Sequence, residues 1–258
     1  MRYSLHLSYF GKNFAGWQKQ KNARTIQEEI EKSISTLLKQ EIEITGCGRT
    51  DTGVHALNYY AHFDFESDLP DNFLYHANAI LDNSIVLHST FIVDDDWHAR
   101  FTAKSRAYRY FISMDENPFI RETSWQTPYQ LDIDIMEKAS RILMKHDDFT
   151  SFARLHGGQK SNICKIHSVD FIVKNNVLIF EIKADRFLRN MVRAIVGTLV
   201  DVGREYCTVE EFEEIILKKD RSAAGASAPP QGLFLTSVVY DPALDKLHIK
   251  NVEDFPYL

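Results

Sequence analysis

Gly46-Cys47-Gly48-Arg49-Thr50-Asp51-Thr52-Gly53-Val54-His55-Ala56 sets one carboxylate in a run of small residues. Three glycines within eight residues mark a backbone that turns sharply or lets another molecule come close, because glycine carries no Cβ to collide with it. Arg49, two positions from Asp51, favours the ionised carboxylate by Coulomb attraction and points to a nucleophile rather than a proton donor. The same letters also describe an ordinary Asp-Gly turn, and composition does not separate the two readings.

Working outward from that loop, residues 2 to 9 alternate as a half-buried strand, with Tyr3, Leu5, Leu7 and Tyr9 on one face. Phe10 to Gln20 mixes glycine, aromatics and cations, a composition suited to a loop that meets a base or a phosphate. Thr25-x-x-Glu28 is a capping box, opening a helix with Ile26, Ile30, Ile34, Leu37 and Leu38 at helical spacing. Glu41 to Thr45 reads as a strand that delivers the Asp51 loop, and Tyr59 to Phe65 as the strand that follows it. A short helix around Phe73, Leu74 and Ala77 and a strand from Ile85 to Val93 complete the first half. Asp94-Asp95-Asp96 ends that strand as a solvated turn.

The second half opens with a change of sign. Arg100, Lys104, Arg106 and Arg109 fall within ten residues that hold no acid, interleaved with Tyr108 and Tyr110. Such a mixture suits nucleic acid, cations meeting phosphates and rings stacking on bases; a solvated edge strand has the same letters. Asp134 is placed to cap a helix bearing Met136, Ala139, Ile142 and Leu143. Arg154 to Ser161 reads as a mobile loop. Ile163 to Val173 and Val177 to Ala184 meet at Asn175-Asn176, a tight hairpin turn. A helix is expected from Phe187 to about Val202, with Leu188, Met191, Val192, Ile195 and Leu199 inside and Arg186, Arg189, Arg193 and Gly197 opposite. Thr208-x-x-Glu211 is a second capping box, and Thr236 to Tyr240 a last strand.

At 258 residues the chain has room for one large domain or two smaller ones. No apolar run approaches a membrane span, and the N-terminus lacks the apolar block of a signal peptide, so a cytoplasmic protein is expected. Three scattered cysteines make neither a disulfide framework nor a zinc site, and the ten histidines form no ligand pair, so no metal is expected. A net charge of -6 restricts any RNA site to a local basic groove.

The Gly46–Ala56 run closely resembles the signature of the TruA family of tRNA pseudouridine synthases, with Thr52 where alanine is more usual. Trp97-His98-Ala99-Arg100-Phe101 with Ser105-Arg106-Ala107-Tyr108-Arg109-Tyr110, then Phe187-Leu188-Arg189-Asn190-Met191-Val192-Arg193, and finally Gly232-Leu233 resemble its later landmarks, in order along nearly the whole chain. The resemblance implies an α+β fold of two similar α/β halves, 1–103 and 104–258, sharing a mainly antiparallel sheet with a central active-site cleft. It implies Asp51 as catalytic residue, Arg193 as its ionic partner, Tyr108 against the target base and Leu233 as a wall of the uracil pocket. Arg49, Arg106, Arg109, Arg186 and Arg189 are the candidates for binding the RNA. The implied substrate is the anticodon stem-loop of tRNA, at tRNA positions 38, 39 and 40, handled by a homodimer without cofactor. Two rivals remain at this point. One is a non-catalytic RNA-binding or RNA-folding module using the same basic cleft; the other is a hydrolase pairing Asp51 with His55.

Overall fold

Every second residue of Tyr3, Leu5, Leu7 and Tyr9 is apolar, which makes residues 2–9 a strand with one face to bury. The structure, a computed structural model, describes residues 1–154 and 161–240. In it β1 (Arg2–Tyr9) has those four side chains at most 4% exposed. Its other face is covered as well: Ser4 and His6 are buried, so the strand is interior on both sides rather than half-buried.

The helix that follows, α1 (Ile26–Leu38), is capped by Thr25, whose hydroxyl accepts from the Glu28 N–H; Ile26, Ile30 and Ile34 are fully buried. The expected strand at 41–45 shrinks to β2 (Thr45–Gly46). Ile42 and Ile44 are buried, but their N–H groups go to the Ser35 hydroxyl and the Glu31 carboxylate of α1, so this stretch is satisfied by a helix and not by a neighbouring strand. The chain then forms β3 (His55–Asp64), α2 (Phe73–Ile80) and β4 (Ile85–Val93). β1 pairs antiparallel with both β3 and β4, in a register that sets Tyr3 opposite Phe63, Leu5 opposite Ala61 and Leu7 opposite Tyr59.

β5 (Ser105–Ser113) and β6 (Trp125–Gln126) run parallel to each other. α3 (Ile133–Ile142) is capped by Asp132, two residues before the expected Asp134, because Asp132 Oδ1 accepts from the Ile135 N–H. β7 (Ile166–Lys174) and β8 (Val177–Ala184) form the expected hairpin, with Asn175 and Asn176 both at positive φ (51° and 59°), and β8 pairs antiparallel with β5. α4 (Met191–Gly203) starts four residues later than its apolar spacing suggests. Asn190 stands at φ 66°, which helical backbone cannot pass through, so Phe187, Arg186 and Arg189 belong to the preceding turn. α5 (Val209–Lys218) carries the complete capping box of Thr208 and Glu211, and β9 (Leu233–Val239) starts three residues before the expected strand.

The architecture is thus α+β with mainly antiparallel pairing. Among the described residues the chain divides into two compact units, Met1–Lys104 with Leu235–Tyr240, and Ser105–Phe234. β9 therefore passes from the second unit into the first, where Thr236 O accepts from Asn58 Nδ2 at 2.8 Å. Among the described residues no helix is long and apolar enough to cross a membrane. The expected loop from Arg154 to Ser161 lies, except for those two residues, outside the described residues.

Candidate active site

In the first unit the Asp51 loop is shaped by the residues just after β1. Trp17 and Phe14, each 2% exposed, are not a surface for a base, as the mixture of glycine, aromatics and cations in Phe10 to Gln20 suggested; they are the floor of this loop. Trp17 stacks on Tyr59 at 4.0 Å, and the Tyr59 hydroxyl donates to the Gly48 carbonyl. Trp17 N–H donates to Thr50 O at 3.2 Å, the Tyr9 hydroxyl meets Thr50 Oγ1 at 2.8 Å, and Gly53 N–H donates to Phe14 O. Within the loop Val54 N–H closes a turn onto Asp51 O, and Gly53 takes φ 78°. Gly16 lies against this turn at φ 88°; a Cβ there would stand 2.5 Å from Thr50 O and 3.1 Å from the Asp51 carbonyl carbon. Backbone on backbone leaves no flexible atom to move aside, so the Asp51 peptide is held on both flanks. Asp51 itself is half-buried. Arg49 is exposed, its Nε donating to Gln18 Oε1 at 3.0 Å.

His55 is fully buried, its Nδ1 accepting from Gly11 N–H at 3.0 Å and its ring stacked on Phe10 at 4.4 Å. A histidine sealed from solvent and tied to a backbone amide is part of the frame of the loop, which removes the ground for an Asp51–His55 acid-base pair.

In the second unit β5 sorts its cations by face. Arg106, Tyr108 and Tyr110 share one side of the strand, while Arg109 points to the other and pairs with Glu181 directly across on β8. Tyr108 is half-buried with its ring edge-on to Phe187 at 5.1 Å, and Arg106 Nη1 donates to Asp185 O at 2.9 Å. Tyr110 is fully buried and donates to Pro229 O at 2.7 Å. Burial raises its phenol well above the ordinary range, against an opposing pull from Arg193. Tyr110 therefore belongs to the core and is not a stacking platform.

α4 is almost wholly interior, and only Arg193 and Asp201 along it are half-buried. Here the expected open arginine face is corrected. Gly197 is filled by the chain itself, since a Cβ there would meet Ala226 O at 1.8 Å, and Arg186 and Arg189 are off the helix. Arg186 is half-buried with its N–H on Asp185 Oδ1; Arg189 is exposed and its carbonyl accepts from Arg154 N–H. Arg193 Nε donates to Ala228 O at 2.7 Å, and Ala228 N–H returns a bond to Arg193 O at 2.9 Å. Leu233 is 6% exposed and follows Gly232, which packs against the Tyr110 ring. Arg193, Tyr110 and the stretch 228–233 are thus drawn together, with Tyr108 one step along the same strand face. Sequence reading missed Gly16, Tyr9 and Tyr59 around Asp51, and residues 221–228 around Arg193; their only signals were small or aromatic letters far from the motif.

The first unit thus carries an aspartate on a pinned glycine-bearing loop, and the second carries an arginine beside a tyrosine-bearing strand. The chain matches the tRNA pseudouridine synthase family over residues 7–102 and 139–241, and it belongs to that family. It is 43% identical over 245 residues to tRNA pseudouridine synthase A of Parabacteroides distasonis, covering 94% of this chain and 97% of that one. It is 40% identical to the protein of the same name from Bacillus licheniformis, covering 93% of this chain and 100% of the other.

Proposed function

We propose that this protein isomerises uridine to pseudouridine in tRNA, with Asp51 as the nucleophile. The C1′–N1 bond breaks, the uracil turns, and C5 bonds to C1′ while C5 loses its proton and N1 gains one. Atoms and electrons balance within the nucleotide, so the reaction calls for neither an energy donor nor a redox cofactor. The observation that carries this reading is the Asp51 turn: its backbone is held by Phe14, Gly16 and Trp17 and the Thr50 hydroxyl by Tyr9, so the carboxylate is presented from a rigid frame, as attack on a fixed target requires. Family membership supports the reaction class.

In this reading Arg193 pairs with the Asp51 carboxylate and aims it, and Tyr108 packs on the extruded base with Leu233 walling its pocket. Extrusion of a stacked uridine costs a few kcal/mol, which contacts to phosphate offset. Arg106, Arg186 and the exposed Arg49 and Arg189 are suited to those contacts, whereas Arg109, already paired with Glu181, would have to exchange partners. The substrate region is the 3′ side of the anticodon stem and loop, and the enzyme works as a cytoplasmic homodimer. Tritium release from tRNA labelled at uridine C5 tests the chemistry: release by the wild type and none by Asp51→Asn, with tRNA still bound, is expected. Release by both overturns the role of Asp51, and release by neither on bound, unmodified tRNA overturns the reaction and favours a binding module. Light scattering of the purified chain tests the dimer.

A further inference from the structure

We propose that Arg221 is a positioning residue for the reaction, acting through the strap Ala223–Ala228 to hold the Arg193 guanidinium. The inference rests on the reading of Arg193 as the partner of Asp51. The strap leaves a 3-10 turn, Arg221–Ala223, that Asp220 caps by accepting from the Ser222 N–H and hydroxyl. It then crosses α4 at the place where Gly197 has no side chain, with Ala226 O seated over that glycine, and Gly225 N–H donates to Thr198 Oγ1 at 3.0 Å. It ends on Ala228, which exchanges two hydrogen bonds with Arg193, one of them from the guanidinium Nε.

Arg221 staples this strap from within. Its Nη1 donates to the carbonyls of Ala224 (3.3 Å) and Gly225 (3.1 Å), and its Nη2 to Ser227 Oγ (3.0 Å). Ser227 Oγ also accepts from Asn190 Nδ2 at 2.6 Å, and Asn190 is the left-handed residue that starts α4 three positions before Arg193. Among the described residues this half-buried guanidinium meets neutral oxygens and no carboxylate, which suits a planar fork gathering a curved backbone rather than a charge pair. Both ends of the Arg193 side chain are thereby tied to one network: its root through Asn190 and Ser227, its Nε through Ala228. A guanidinium displaced by about 1 Å loses its aim on a carboxylate, and misplacement on that scale costs about 100-fold in rate.

The test is a mutant cycle on the full-length protein with tRNA transcript, reading single-turnover rate and tRNA dissociation constant separately. Arg221→Ala and Arg221→Lys are expected to slow the single-turnover step by about 10- to 100-fold with tRNA affinity within about 2-fold. The double variant with Arg193→Ala is expected to be no slower than Arg193→Ala alone. Ser227→Ala, which removes the shared acceptor and little volume, carries the test if Arg221→Ala does not fold by circular dichroism. Wild-type rates in the Arg221 and Ser227 variants beside a slow Arg193→Ala overturn the positioning role alone. So do a loss confined to tRNA affinity and multiplicative losses in the double variant. A wild-type rate in Arg193→Ala overturns the reading beneath it as well.

Discussion

The Asp51 turn and the Arg193 strap each hold the chain around one charged side chain, by different means. Around Asp51 the partners are backbone groups and aromatic rings from residues 9–17 and 59, and Gly16 combines a left-handed backbone with close contact to Thr50 and Asp51. Around Arg193 the partner is a six-residue strap gathered by the Arg221 guanidinium and tied to Thr198 and Asn190, with its backbone seated on Gly197. The first arrangement rests on backbone groups and rings, and the second on side-chain hydrogen bonds that single substitutions remove.

The largest effect expected from this contrast is chemical: Asp51→Asn should lower the single-turnover rate on the order of 10⁴-fold with tRNA affinity kept, measured by quenched C5 tritium release. Gly16→Ala strains a positive φ and drives a Cβ into backbone, so urea unfolding should show a loss of about 3 kcal/mol. Gly197→Ala drives a Cβ to 1.8 Å from the Ala226 carbonyl oxygen, so it should also lose about 3 kcal/mol, and in addition slow turnover as Arg221→Ala does. A Gly197→Ala protein as stable as the wild type would break the comparison.

Acid should also tell the units apart. In the first unit burial lowers the His62 pKa to about 4, with His98 and Arg2 adding repulsion and Asp64 opposing. The folded state thus binds this proton less readily than the unfolded chain, whose histidine titrates near 6.5. Stability is unaffected above that value and falls as pH drops from there toward 4, by about 2 kcal/mol between pH 7 and pH 5. His98 is shifted in the same direction, chiefly by burial. In the second unit burial pushes the Cys164 thiol up to about 12, out of this window. Hydrogen exchange at pH 5 and pH 7 should therefore show the first unit loosening first, and His62→Asn, which keeps an acceptor for the Ala99 N–H, should reduce the difference. The smallest effect belongs to a feature remote from both sites: Thr208→Ala removes one side of a capping box and should cost about 1 kcal/mol in urea unfolding, with turnover unchanged.

Strands, helices and the hairpin were legible because their signals are periodic or local: alternation in β1, the asparagine pair between β7 and β8, the capping boxes. The sequence reading failed where a distant group satisfied a backbone or filled a space. Residues 41–44 look like a strand because Ile42 and Ile44 alternate, yet α1 side chains take their N–H groups. The arginine spacing from 186 to 193 looks like a helical stripe, yet Asn190 breaks it.

The amino-acid sequence by itself determined the α+β order of elements, the family, and the identity of Asp51, Tyr108 and Arg193 as candidates, because motif letters and short-range periodicity are properties of neighbours in the chain. Only the tertiary structure decided that Phe14 and Trp17 are a floor and not a binding surface, that Tyr110 is core, and that Gly197 is occupied by Ala226. Each depends on which atoms meet across tens of residues. Packing at backbone distance excludes solvent and ligand alike, and no local pattern of letters records it.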